Sequence, residues 1–311
     1  MKLIFCGDPL DPRVVDPVYA GEMAVARKLG IACSHINFEA LVYERDGRGA
    51  VRRVENGKRE EVGVYRGWML RHELYALLYE ALIERGIRLI NSPADYRHCH
   101  HLPESYAAIE GYTPRTVWVP WQSGVSLTGS GLDEVMRRLE TFGDRPLILK
   151  DYVKSQKHRW AEACYIPSAT DRAAVARVTN RFLELQGEDL NEGLVFREYL
   201  EFEPLTVHSK SGMPLTKEYR LFYLDGEPIL KVPYWEQGEY EADTLPMEIF
   251  NRVASRIESR LFTMDIAQMK TKEGEEHTYQ IVELGDAQVA GLPERADPVT
   301  FYRALHTLLP Y

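Results

Sequence analysis

Two patterns of secondary structure succeed one another along this chain, and the switch excludes any fold built from a single repeated unit. The opening alternates: an apolar run at 2–6, a Pro/Asp loop, a helix-periodic stretch at 18–29 stopped by Gly30, and a second apolar run at 32–37. That is the start of a βαβ arrangement. Residues 70–85 place apolar side chains at 70, 74, 77, 78, 81 and 82, one face of a helix, and Gly86 stops it before a strand at 87–91. Asn56-Gly57 predicts a hairpin over 51–65. Beyond Pro93, Pro103, Pro114 and Pro120 and a helix at 132–142, the signals turn antiparallel. Strands are expected at 147–150, 160–166, 193–200, 218–223, 228–233, 264–270 and 278–284, with helices at 171–186, 246–260 and 298–309. Asp225-Gly226 marks a tight turn, and Gly274 separates the last two strands. The expected class is α+β, with an α/β lobe of about a hundred residues in front.

The 311 residues, 45% hydrophobic and 27% charged, suffice for a sizeable core in two or three domains. Lys and Arg number 38 against 47 Asp and Glu, a formal charge of -9, so nucleic acid is not an expected partner. No run approaches the roughly 18 apolar residues of a membrane span, and the N-terminal apolar run is too short for a signal peptide. A cytoplasmic protein with no membrane partner is expected. Cys6, Cys33, Cys99 and Cys164 show no CxxC spacing and read as buried or idle thiols.

Three groups of residues could carry chemistry. Lys150 ends a strand-like run, and Lys154, Lys157, His158 and Arg159 follow within nine residues. Such a cluster is either an oligophosphate cradle or a solvated basic loop. Glu283 and Asp286 sit at the end of a later strand with Gly285 between them, and Asp265 lies in an apolar setting in the preceding one. Carboxylates so placed suit hard coordination of Mg²⁺, or are a surface acid and turn residues. Glu218 and Arg220 point to one side of a strand by period two, where Arg220 either stabilises developing negative charge or forms an ordinary ion pair.

Taken in order, LILK, VFREYL, EYRLFYLDGEP, MDIAQM and QIVELGDAQV resemble the ATP-grasp superfamily. With YRGWMLRHELY and KDYVKSQKHRW, the chain more narrowly resembles the phage and bacterial clade marked by one arginine and two lysines. The resemblance implies an ATP-grasp fold with a pre-ATP-grasp α/β domain at 1–115, an N-subdomain at 116–200 and a C-subdomain at 201–311, with ATP held between the last two. It also implies a ligase that activates a carboxylate as an acyl phosphate for attack by an amine, releasing ADP and phosphate. Small-molecule or peptide substrates are expected, with ATP and Mg²⁺ as cofactors.

Carried over by position, Lys150 binds phosphate, Lys154 or Lys157 is the second lysine, and Arg220 is the clade's arginine. Glu198, Tyr199 and Leu200 form the adenine-binding linker, Glu218 joins the nucleotide set, and Asp265, Glu283 and Asp286 hold the metal. Two departures stand out. Position 285 is Gly where many members carry Asn, and no glycine occurs between Lys150 and Gly187 to make a glycine-rich phosphate loop. Alternatives are an ATP-grasp phosphotransferase, a nucleic-acid end-modifying enzyme, or a nucleotide-binding regulatory protein without turnover.

Other features carry less. Four adjacent residues, His98-Cys99-His100-His101, cannot converge on one tetrahedral zinc. Trp118, Trp121, Tyr234 and Trp235 read as core packing in preference to a substrate pocket. Arg66-Gly67-Trp68 with Arg71 would either hold a substrate carboxylate at a strand end or be solvated at a helix start.

Overall fold

Lys2–Cys6 forms the first strand, β1, and all five residues are buried, as a central strand of a parallel sheet requires. The computed structural model of the protein describes residues 1–58, 60–207, 214–240, 245–272 and 276–309. After β1 come α1 (Pro17–Lys28), β2 (Ala32–Ile36), α2 (Phe38–Val42), α3 (Gly47–Ala50), β3 (Glu61–Arg66), α4 (His72–Ile83), β4 (Ile87–Leu89) and α5 (Pro93–His100). Asp16 caps α1 by accepting the Val18 N–H, with Pro17 in its first turn, and Gly30 at φ +79° ends it. The parallel sheet runs in the order β2-β1-β3-β4. The hairpin expected over 51–65 is absent. Residues 51–54 are turns, β3 pairs in parallel with β1, and Gly57 is needed instead for close packing, since a Cβ there would lie 2.7 Å from the Gly86 carbonyl oxygen.

The next stretch forms α6 (Leu102–Ile109), β5 (Thr116–Pro120), α7 (Gly129–Leu139), β6 (Leu147–Asp151), α8 (Trp160–Ala163), β7 (Tyr165–Ile166), α9 (Arg172–Gln186) and β8 (Gly193–Glu198). Its sheet is antiparallel in the order β5-β8-β6-β7. Leu147, Leu149, Leu194 and Phe196 point to the side covered by α7 and α9, where Val135, Val175, Val178 and Phe182 complete the core. By alternation Ile148, Lys150, Val195 and Arg197 point to the opposite side. The strand expected at 160–166 is mostly α8, with only Tyr165–Ile166 extended. β5 escaped the sequence reading because Pro114 and Pro120 bracket it, which an edge strand tolerates.

The remainder forms β9 (Pro204–Val207), β10 (Pro214–Thr216), β11 (Glu218–Leu224), β12 (Glu227–Pro233), α10 (Met247–Ala254), β13 (Leu261–Gln268), β14 (Tyr279–Asp286) and α11 (Pro298–Leu308). The larger sheet is ordered β12-β11-β13-β14, and β9 pairs with β10. Asp225 and Gly226 join β11 to β12 with φ values of 50° and 81°, the two positive values that a type I′ turn needs. Gly274 lies outside the described residues.

The chain divides into two compact units: residues 1–99, 204–266 and 283–311 in the first, and 100–203 and 267–282 in the second. In one continuous core of the first unit, Phe222, Leu224, Leu261, Phe301, Tyr302 and Leu305 join the side chains of β1, β3 and α4. Polar side chains thread it. Asn91 donates to Asp286 Oδ2 (2.6 Å) and to the Leu261 carbonyl (2.7 Å), and its Oδ1 accepts the Leu261 N–H (3.0 Å). Gln288 accepts from the Tyr65 N–H (3.0 Å) and donates to the Tyr75 hydroxyl (2.7 Å) and to Asp286 Oδ1 (3.2 Å). The start of β13 and the end of β14 are thereby fastened to the parallel sheet, with the buried polar groups satisfied.

Candidate active site

Lys150 projects from β6 on the side of the second unit's sheet opposite α7 and α9 and is only 7% exposed. Burial pushes the neighbouring Cys164 thiol up to about 11, while the Lys157 and Lys150 ammonium groups pull it down. That pull places both cations within electrostatic reach of one thiol. Lys154 is exposed just beyond β6, and Lys157, His158 and Arg159 form an exposed 3-10 turn in which Arg159 pairs with Glu162 at 3.8 Å.

The same sheet side carries an aromatic group that sequence reasoning did not assemble. Tyr165 is the register partner of Ile148, two residues from Lys150, so Tyr165 and Lys150 share a side. Trp160 stacks on Tyr165 (5.4 Å between centroids, 15° between planes), and Tyr199 meets Tyr165 edge-on at 5.4 Å. Glu198, Tyr199 and Leu200 are half-buried around the end of β8, where the Tyr199 N–H donates to the Pro146 carbonyl (2.9 Å). Only the alternation across paired strands could have signalled the trio, and the β6–β7 register is invisible in the sequence.

In the first unit, Arg220 on β11 meets Asp265 on β13 through a two-pronged ion pair: Nε donates to Oδ1 at 2.8 Å and Nη2 to Oδ2 at 2.7 Å. Its Nη1 donates to the Gly291 carbonyl (3.0 Å), and its guanidinium lies 4.7 Å from the Tyr234 ring centroid. Burial pulls Arg220 toward neutrality, but Asp265, with Tyr234 and Glu283, outweighs it and holds the pKa above the usual arginine value. Glu283 on β14 is half-buried and acts on the same guanidinium. Arg220 and Asp265 thus meet from β11 and β13, and Glu283 stands on β14, the next strand of the same sheet, near enough to favour the charged guanidinium.

Asp286 does not join them. It lies three residues from Glu283 within β14, and an odd offset in a strand sends the two side chains to opposite sides. Asp286 is fully buried in the Asn91–Gln288 network, which holds its carboxylate in the core of the first unit. Burial raises its pKa to about 7 against the lowering effect of hydrogen bonds from Asn91 and Gln288. Glu218 accepts from the Thr216 hydroxyl, and it is Asp265 on the neighbouring strand that fixes the guanidinium.

Arg66 is not a substrate arginine. It is 1% exposed, forked onto Glu22 (2.9 and 3.0 Å), with Nη1 donating to the carbonyls of Ala287 (2.7 Å) and Ala290 (2.8 Å). Arg71 precedes α4 and is exposed. The His98–His101 run diverges: Cys99 faces Ser259 and Asp286 in the first unit, whereas His101, in the second, approaches Glu192 at 3.4 Å. The four aromatics also part company. Trp118 packs edge-on against Tyr106 and Trp121 against its local core, while Tyr234 lies against Arg220 and Trp235 packs edge-on against Tyr234.

The family model described as ATP-grasp domain, R2K clade family 3, matches residues 141–305, just over half of the chain. Among solved structures, the ATP-grasp ligase PsnB complexed with minimal precursor, Mg and ADP superposes with a TM-score of 0.52 at 15% identity, covering 98% of this chain and 96% of that one. A RimK domain protein ATP-grasp from Sphaerobacter thermophilus gives 0.54 at 11% identity, covering 98% of each chain. N5-carboxyaminoimidazole synthase from Aspergillus clavatus, in complex with ADP and 5-aminoimidazole ribonucleotide, gives 0.54 at 12% identity and covers 91% of this chain and 69% of that one. No curated protein matches the sequence. Likeness at these identities speaks for the fold, and the family match goes further: the chain belongs to the ATP-grasp domain family, R2K clade family 3.

Proposed function

We propose that the protein is an ATP-dependent ligase that activates a carboxylate as an acyl phosphate for attack by an amine or similar nucleophile, releasing ADP and phosphate. The observation that carries the reading is the convergence of Arg220, Asp265 and Glu283 from three strands of a family member. Arg220 keeps uncommitted N–H groups after serving Asp265 and Gly291, and a fixed guanidinium suits charge that develops on a phosphoryl group or on a tetrahedral oxyanion.

The residues present fit MgATP. Mg²⁺ bound through phosphates takes one or two carboxylates from a protein, and Glu283 with Asp265 supplies that number. Bound there, the ion would neutralise charge on the phosphates. Lys150 and Lys154, or Lys157, would contact phosphate oxygens. Glu198, Tyr199 and Leu200 would meet the base, beside Trp160 and Tyr165 on the sheet side of Lys150. The reading keeps lobes at 1–115, 116–200 and 201–311.

The carboxylate and the amine are small molecules or peptides. PsnB, whose structure contains a precursor and ADP, motivates including peptides among the acceptors tested. No helix among the described residues is long and apolar enough to cross a membrane. A ligase that draws on cellular ATP would work in the cytoplasm. Incubation with ATP, Mg²⁺ and pooled carboxylates, amines and peptides should release ADP only when both an acid and a nucleophile are present. Phosphate retained on an acceptor, or tight ATP binding with no ADP from any pool, would replace this reading with a phosphotransferase or a regulatory protein.

A further inference from the structure

The missing glycine-rich loop has a structural counterpart in the second unit. Where backbone N–H groups cradle phosphate, they must be unengaged and convergent. In residues 151–154, which follow Lys150, each backbone N–H is engaged. The Asp151 N–H donates to the Lys154 carbonyl (2.8 Å), the Tyr152 N–H to the Asn191 carbonyl (3.3 Å), and the Val153 (2.7 Å) and Lys154 N–H groups to Asp151 Oδ1. Asp151 Oδ2 accepts from Gln186 Nε2 (2.7 Å), the Asn191 N–H (3.1 Å) and Asn191 Nδ2 (2.8 Å). One fully buried carboxylate thus collects five uncharged N–H donors, enough to offset the cost of removing it from water.

The result is a closed two-residue turn. Lys150 bridges back to Ser155, and Gln156 donates to Gln186 Oε1, which ties the turn to the end of α9. Because the amides of residues 151–154 are taken, two of them by the carboxylate, the lysine side chains are left to grip an anion at this turn, and the turn fixes where Lys150 and Lys154 start from. We propose that Asp151 is a positioning residue that presets the Lys150–Lys154 turn for phosphate binding by lysine side chains, in place of a glycine-rich loop. This rests on the nucleotide-binding reading above.

The test compares ATP with adenosine, which lacks phosphates, by calorimetry on the full chain. Wild-type protein that binds adenosine but gains nothing from the phosphates would remove the nucleotide reading itself. With that gain established, Asp151→Asn puts an amide N–H₂ against donors and loosens the turn. ATP affinity should fall about tenfold or more, while adenosine affinity stays within about twofold. A role confined to general stability would shift both ligands together or neither. Gln186→Met, which removes one donor and keeps the carboxylate, should give a smaller loss in the same direction and serves if Asp151→Asn does not fold. Unchanged ATP affinity in a folded Asp151→Asn protein, or in Gln186→Met where the first does not fold, would overturn the proposal, as would equal losses for ATP and adenosine.

Discussion

At the scale of single residues, Arg220 shows how far sequence reasoning reaches. The motif singles it out, but not its partner, because Asp265 is 45 residues away and only the adjacency of β11 and β13 brings them together. Replacing Arg220 by lysine keeps a cation beside the buried Asp265 and removes the fork, so the fold should survive while the aimed N–H groups are lost. Arg220→Lys should lower kcat by about 10²–10³ with a much smaller change in KM for ATP, as steady-state kinetics would show. A raised KM with normal kcat would reduce Arg220 to an ion pair holding the sheet. Lys150 is tested by binding alone. Lys150→Met should weaken ATP at least tenfold by calorimetry, since a charge-assisted contact is worth roughly 1.5–3 kcal/mol, and unchanged affinity would return the lysines to a solvated loop.

At the scale of elements, the turn at Asp225-Gly226 and most helix faces could be read directly, because turn chemistry and apolar spacing are local. Asn56-Gly57 misled because the same dipeptide signal was outweighed by packing of Gly57 against the Gly86 carbonyl. The carboxylates of β14 misled for another reason. The strand runs through Asp286, one residue pair beyond the expected end at 284, so Glu283 and Asp286 diverge. Their separation gives two contrasting predictions. Glu283→Gln should leave stability within about 0.5 kcal/mol, as at an ordinary half-exposed position, and abolish Mg²⁺-dependent turnover; full activity would remove it from the metal set.

Asp286 should instead govern stability. Its pKa rises from an ordinary 3.8 to about 7 in the folded protein, so the native state binds the extra proton. Stability from this group is therefore complete below pH about 4 and declines by roughly 1.4 kcal/mol per pH unit until pH about 7. Denaturant unfolding at pH 5 and pH 8 should show that decline in the wild type and a flatter profile in Asp286→Asn. Equal pH dependence in the two would contradict the burial argument.

At the scale of the molecule, the succession of a parallel α/β sheet by antiparallel sheets was visible in the sequence, whereas the division into compact units was not. Chain order does not show that residues 204–266 and 283–311 pack into the same core as 1–99, since that depends on contacts such as Phe301 with Phe222 and Arg66 with the 287–290 carbonyls. The central claim is that a carboxylate is activated by phosphoryl transfer. The most direct measurement follows ¹⁸O from a labelled carboxylate acceptor, found by the ADP-release screen, into the released phosphate by mass spectrometry. An acyl phosphate intermediate predicts one labelled oxygen in each phosphate released, with ADP as the nucleotide product. Unlabelled phosphate, or AMP and pyrophosphate in place of ADP, would contradict it.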